Sequence, residues 1–212
     1  VSIAQQAVHL RALLNHLQIK RAHIVGHSSG ANIALQLALD APEMVQSLGL
    51  LEPALPMSPS GPDRLLSTRP ALSPAIEYFR AGDKERAIDT FMRGVSGPDY
   101  RAPLERAIPG AFEQAIVDAE TFFGQELPAV QSWTFQRHDA TRISQPVLAV
   151  VGEKSKDVSS IWTERQQRLL TWLPRAEPFV LKGATHLLHV QNPRGMADGL
   201  IAFFDRHSLS KN

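Results

Sequence analysis

Residues 22–30 read Ala22-His23-Ile24-Val25-Gly26-His27-Ser28-Ser29-Gly30. The short apolar run ending in glycine predicts a buried strand. The small residues from Ser29 to about Leu39 predict a helix, stopped by Asp40-Ala41-Pro42. At their junction Gly26-His27-Ser28-Ser29-Gly30 matches the G-x-S-x-G pattern, which carries meaning only between a strand and a helix. Such a serine sits on a sharp, strained turn, and side chains at both flanking glycine positions are expected to clash with strand and helix. The helix N-terminus beneath offers free N–H groups and positive dipole to a developing oxyanion. Ser28 is therefore the candidate nucleophile, and the N–H of Ser29 the first expected oxyanion donor. His27 reads only as the variable residue of the turn.

Working outward, Val45-Gln46-Ser47-Leu48-Gly49-Leu50-Leu51 predicts a second strand, closed by Glu52-Pro53. Strand, helix, strand implies parallel pairing with right-handed crossovers. Ahead of it, Ala4, Ala7, Val8, Leu10, Leu13, Leu14 and Leu17 recur as one apolar helix face. Val1 stands inside that helical pattern and is not Met, so the expectation is part of a longer protein, with any signal peptide before Val1.

Pro56 to Pro70 is a Pro/Ser/Gly loop by composition. The block after it has helical signals and no strand signal. Ser73-Pro74 predicts a helix opening that stops at Gly82, and Asp83 predicts the cap of another running to Gly94. Ala111–Phe123 predicts a third helix and Leu127–Phe135 a fourth. Alternation then resumes with a strand over Pro146–Val151, a helix over Ser159–Trp172, a strand over Pro178–Leu181 and a closing helix over Pro193–Phe204. The expected division is a core over residues 1–55, a helical insertion over 56–142 and the rest of the core over 143–212.

The 212 residues are 43% hydrophobic and 20% charged, with 22 basic and 21 acidic residues and a net charge of +1. No basic footprint for nucleic acid or anionic membrane exists. Cysteine is absent, so disulfides and thiolate metal sites are excluded. No apolar run approaches the roughly 18 residues needed to span a bilayer, and the expected location is cytoplasmic.

Lys182-Gly183-Ala184-Thr185-His186 follows the last strand and precedes the last helix. A histidine on a loop at a strand's C-terminal end is where an α/β sheet presents catalytic groups, and it follows Ser28 in the order Ser, acid, His. His186 is the expected general base. His189, three residues on, reads as a packing residue.

The serine turn, Leu50-Leu51-Glu52-Pro53, Pro146-Val147-Leu148-Ala149-Val150-Val151-Gly152-Glu153 and Gly183-Ala184-Thr185-His186-Leu187-Leu188-His189 together resemble the α/β-hydrolase superfamily over nearly the whole chain. The resemblance implies a parallel sheet with flanking helices, an inserted helical cap matching the helical block, and a Ser–acid–His hydrolase acting on a small molecule without cofactor or metal. It also implies an N-terminal half-sheet, with a His-Gly loop donating the second oxyanion N–H, that no residue of this chain supplies. The resulting fold is truncated at its N-terminus, and the open edge of the first strand predicts self-association.

In that family the acid usually stands a few residues after the glycine that here is Gly152, but Ser155 occupies the place and Asp157 lies two residues further. The alternative family position, at the end of the strand after the nucleophile helix, holds Glu52. Glu52 directly ends its strand and is fixed by Pro53, whereas Asp157 is flanked by Lys154 and Lys156, so Glu52 is favoured and Asp157 is the alternative. An ester or similar acyl substrate is the leading expectation. A non-catalytic protein of the same fold, binding a small ligand under its cap, is the other. Phe79, Phe91, Phe112, Phe122, Phe123 and Trp133 suggest an apolar pocket, although each is more readily explained as cap packing.

Overall fold

The computed structural model describes residues 1–56 and 69–209. Strands β1 (Ala22–His27), β2 (Val45–Leu51), β3 (Val147–Gly152) and β4 (Ala176–Leu181) form one parallel sheet in the order β1-β2-β3-β4. Helices cover both faces, as the sequence predicts. Along β3 the side chains alternate, because successive residues of a strand point to opposite faces. Val147 and Ala149 join the cluster made with helices α1 (Ile3–His16), α2 (Ser29–Asp40) and Leu169. Leu148 and Val150 join Leu181, Met196 and Phe203 on the other face. β1 pairs only with β2 and forms the sheet edge among the described residues, leaving Val25 41% exposed.

The buried stripe of α1 is narrower than the sequence suggests. Ser2 caps the helix by accepting from the Gln5 N–H, and Ile3, Ala7 and Leu14 are buried with Leu10 packed beside them. Val8 and Leu13 are exposed, since they project to either side of the i, i+4, i+7, i+11 line that those four residues define, and Leu17 is exposed as the C-cap past the last helical turn.

Between β2 and β3 the described chain is helical, beginning with α3 (Arg69–Arg80), α4 (Lys84–Ser96), α5 (Arg101–Ala107) and α6 (Ala111–Val117). Asp83 caps α4 through the Arg86 N–H, and the helix runs past Gly94 to Ser96. Pro74 lies inside α3 and does not open it. It lacks the N–H for one intrahelical bond, and burial of Ala75 in the cluster these helices form holds the turn. The predicted third helix is broken into α6, the short α7 (Ala119–Thr121) and a π-turn at Phe122–Glu126, which leads into α8 (Leu127–Ser132). These helices bury their own cluster, including Ala87, Ile88, Tyr100, Phe112 and Phe123, to which the loop before the last helix adds Leu187. The predicted Pro/Ser/Gly loop lies, apart from its two ends, outside the described residues.

After α9 (Arg137–Ala140) and β3 come α10 (Ser155–Val158), α11 (Ile161–Trp172), β4, α12 (Leu188–Gln191) and α13 (Pro193–Arg206). Among the described residues no helix is long and apolar enough to cross a membrane.

Candidate active site

Ser28, Ser29, Glu52 and His186 gather at the C-terminal edge of the sheet, where Asp157 also lies but exposed. Ser28 stands between β1 and α2 with φ 53° and ψ −119°, a sparsely populated conformation that costs a non-glycine residue about 1–3 kcal/mol. Its N–H donates to the Leu51 carbonyl at 2.9 Å, which ties the turn to the end of β2. A Cβ on Gly26 would lie 2.4 Å from the Gly30 carbonyl oxygen, so this glycine is what lets strand and helix approach so closely. Gly30 is different: a Cβ there meets nothing within 4 Å, and the expected clash at the second glycine is absent because its α-carbon faces open space. Ser29 opens α2, so its N–H is among the first-turn donors that no helical carbonyl can satisfy.

Glu52 follows β2 with φ 42°, and its N–H donates to the Val150 carbonyl at 3.1 Å. Its carboxylate is buried and doubly engaged. Oε1 accepts from the Gly152 N–H at 2.8 Å, and Oε2 accepts from His186 Nδ1 at 2.7 Å. That bond leaves Nε2 as the free nitrogen of the ring. Asp157, on α10, is exposed and makes no such contact among the described residues. Ser155 is fully buried, and its Oγ makes no hydrogen bond among the described residues. The structure thus brings His186 to Glu52 and not to Asp157.

His186 is 5% exposed and held from several sides. Trp162 stacks on its ring with centroids 4.0 Å apart and planes at 14°. Thr185 Oγ1 donates to the Ser96 carbonyl at 2.7 Å, which fastens the histidine loop to the end of α4. His27 does more than fill the variable position of the turn. Its Nε2–H donates to the His186 carbonyl at 2.7 Å, and its ring lies 4.6 Å from that of His186. Burial, followed by the neighbouring His186, lowers the His27 pKa to about 3, so His27 stays neutral and keeps that donor. His189 is exposed, its ring edge-on to His27 at 5.1 Å, so it is more a surface residue than a packed one.

Ser28, Ser29, His27 and His186 line one cavity of about 610 Å³. No hydrogen bond joins Ser28 Oγ to the His186 ring among the described residues. Of the six aromatics singled out in the sequence, only Phe91 and Phe122 reach this cavity. Phe79, Phe112 and Phe123 pack within the helical block between β2 and β3, and Trp133 stacks on Phe135 while donating to Gln36 from the sheet-side core. A residue that sequence reasoning missed is Arg165, a buried cation on the cavity wall. Ile161, Trp162, Arg165 and Leu169 are the buried residues of α11, and a charge on that apolar stripe was the available signal. Among the described residues no group of three or more His, Cys, Asp or Glu side chains could hold a metal ion.

A family model described as alpha/beta hydrolase fold matches residues 2–193. The chain is 27% identical over 206 residues to the dihydrolipoyllysine-residue acetyltransferase component of the acetoin cleaving system of Pseudomonas putida, covering 92% of this chain and 49% of that protein, about half its length. It is 25% identical over 205 residues to an uncharacterized hydrolase, YugF, of Bacillus subtilis strain 168, covering 90% of this chain and 68% of that one. Among solved structures it resembles Est816, an N-acyl homoserine lactone degrading enzyme, with a TM-score of 0.69 at 24% identity over 95% of this chain and 74% of that one. These likenesses support a parallel sheet flanked by helices. The chain belongs to the alpha/beta hydrolase fold family.

Proposed function

We propose that the protein is a serine hydrolase acting on an ester or similar acyl bond of a small molecule. The observation that carries this reading is the 2.7 Å bond from His186 Nδ1 to the buried Glu52 carboxylate, made at the wall of the cavity that Ser28 also lines. A histidine whose Nδ1–H is held by a carboxylate presents a basic Nε2, which is the state needed to take a serine proton.

In this reading Ser28 Oγ attacks the acyl carbon and His186 Nε2 takes its proton. The new oxyanion is met by the Ser29 N–H at the start of α2, where unsatisfied amides and the helix dipole favour negative charge. The imidazolium is stabilised by Glu52, which the Gly152 N–H holds in place. His186 then returns the proton to the leaving group, and water repeats the sequence to release the acid. A direct Ser28–His186 bond is not required beforehand, since such bonds tighten on substrate binding.

Incubation with a fluorophosphonate followed by peptide mass analysis tests the reading. One adduct, on Ser28, with none on Ser28→Ala, is expected. No adduct on Ser28 would favour a ligand-binding protein of the same fold.

A further inference from the structure

Arg165 stands on the buried face of α11, 6% exposed, on the wall of the cavity that contains Ser28 and His186. Its Nε–H donates to the Leu55 carbonyl at 2.9 Å, and its guanidinium lies 5.1 Å from the ring centre of Trp162, the residue stacked on His186. No carboxylate forms an ion pair with it among the described residues. Its two terminal amino groups make no hydrogen bond there either. The residue as a whole lines the cavity.

The other charged residues on the cavity wall are placed differently. Arg93 is exposed and bonded to Asp89 at 2.6 Å. Glu126, the one carboxylate lining the cavity among the described residues, is exposed. Glu52, which does not line the cavity, is engaged by His186 and Gly152. Burial lowers the Arg165 pKa to about 10, with Arg168 adding to the effect and Glu52 and Glu164 opposing it, so the group remains a cation at neutral pH. A buried cation with no carboxylate in ion-pair contact is unfavourable, and an anionic ligand reduces that penalty. The two free amino groups present the planar fork that suits a carboxylate. One cation matches one negative charge better than the two of a phosphate monoester.

We propose that Arg165 anchors a carboxylate of the substrate, so that the protein prefers esters carrying a free carboxylate remote from the scissile bond over neutral esters. This rests on the hydrolase reading for turnover, but the anion site itself can be tested without it. The test compares p-nitrophenyl hemiglutarate with p-nitrophenyl valerate as substrates, and calorimetric binding of monomethyl glutarate with that of methyl valerate to Ser28→Ala. A charge-assisted pair predicts about 10- to 100-fold better kcat/KM and binding for the carboxylate-bearing member of each pair. Arg165→Met should abolish the preference and Arg165→Lys should keep part of it. If Arg165→Met does not fold, the unsubstituted protein and Arg165→Lys still decide. Equal or inverted preference in both assays, or a preference unchanged in a folded Arg165→Met, overturns the proposal. Selective binding without any ester turnover would sustain the anion site while counting against the hydrolase reading.

Discussion

Glu52 meets His186 across 134 residues of chain, with Oε2 2.7 Å from Nδ1, and does so from a backbone at φ 42°. The strained backbone re-aims the carboxylate as the chain leaves β2. The Gly152 N–H, at the end of the neighbouring strand β3, then fixes its second oxygen. Two strands and the loop after a third therefore converge on one carboxylate, which is why a glutamate at this position can orient the imidazole.

Glu52→Gln should therefore lower kcat by about 10⁴ with KM little changed, since the amide no longer fixes the tautomer or stabilises the imidazolium. Asp157→Asn, at an exposed site, should leave kcat nearly unaltered. Steady-state kinetics of the two variants on one ester checks this, and a large loss in Asp157→Asn alone would reassign the acid.

Gly26→Ala should destabilise the fold by about 1–3 kcal/mol or more, because its Cβ would meet backbone atoms of Gly30 and Ala31 that cannot rotate away. Gly30→Ala should be neutral or stabilising by up to about 1 kcal/mol, as expected in a helix with open space at that position. Urea midpoints measured on both variants separate the two glycines of the motif. Similar losses for both would contradict the asymmetry.

Much of this was legible because local pattern and tertiary role agree. The apolar runs at β2 and β3 are short, bounded and buried, that of β1 is short and bounded at the sheet edge, and the serine turn lies between elements that periodicity identifies. Glu52 could be favoured from its place at the end of a strand, although its bond to Gly152 could not be read. Other features depend on long-range contacts. Helix α5 has no buried residue, so it carries no apolar stripe to detect. Val8, Leu13 and Leu17 are apolar yet exposed, and periodicity alone overcounted the face of α1. His27 has no sequence signal for its bond to a carbonyl 159 residues away.

His27 gives the protein an acid sensitivity of definite sign. Its native pKa of about 3 lies below the ordinary value of 6.5, so below pH 6.5 the unfolded chain binds a proton that the native state refuses. Its contribution to stability is complete above pH 6.5 and falls as the pH drops toward 3, by up to about 1.4 kcal/mol per pH unit. His27→Gln, which keeps a side-chain N–H donor without a titrating ring, should flatten that acid limb in thermal unfolding series between pH 7 and 4. An unchanged limb would mean that other groups set the acid sensitivity.

The most direct measurement is ester turnover by Ser28→Ala and His186→Ala beside His189→Ala, each confirmed as folded by its unfolding transition. Loss of nucleophile or base should remove nearly all enzymatic acceleration, leaving at most the about 10³–10⁴-fold over water that the oxyanion site and binding can supply. His189→Ala, altering an exposed ring, should stay close to the unsubstituted rate. Near-normal turnover by Ser28→Ala, or a greater loss in His189→Ala than in His186→Ala, would contradict the assignment of Ser28 and His186 as nucleophile and base.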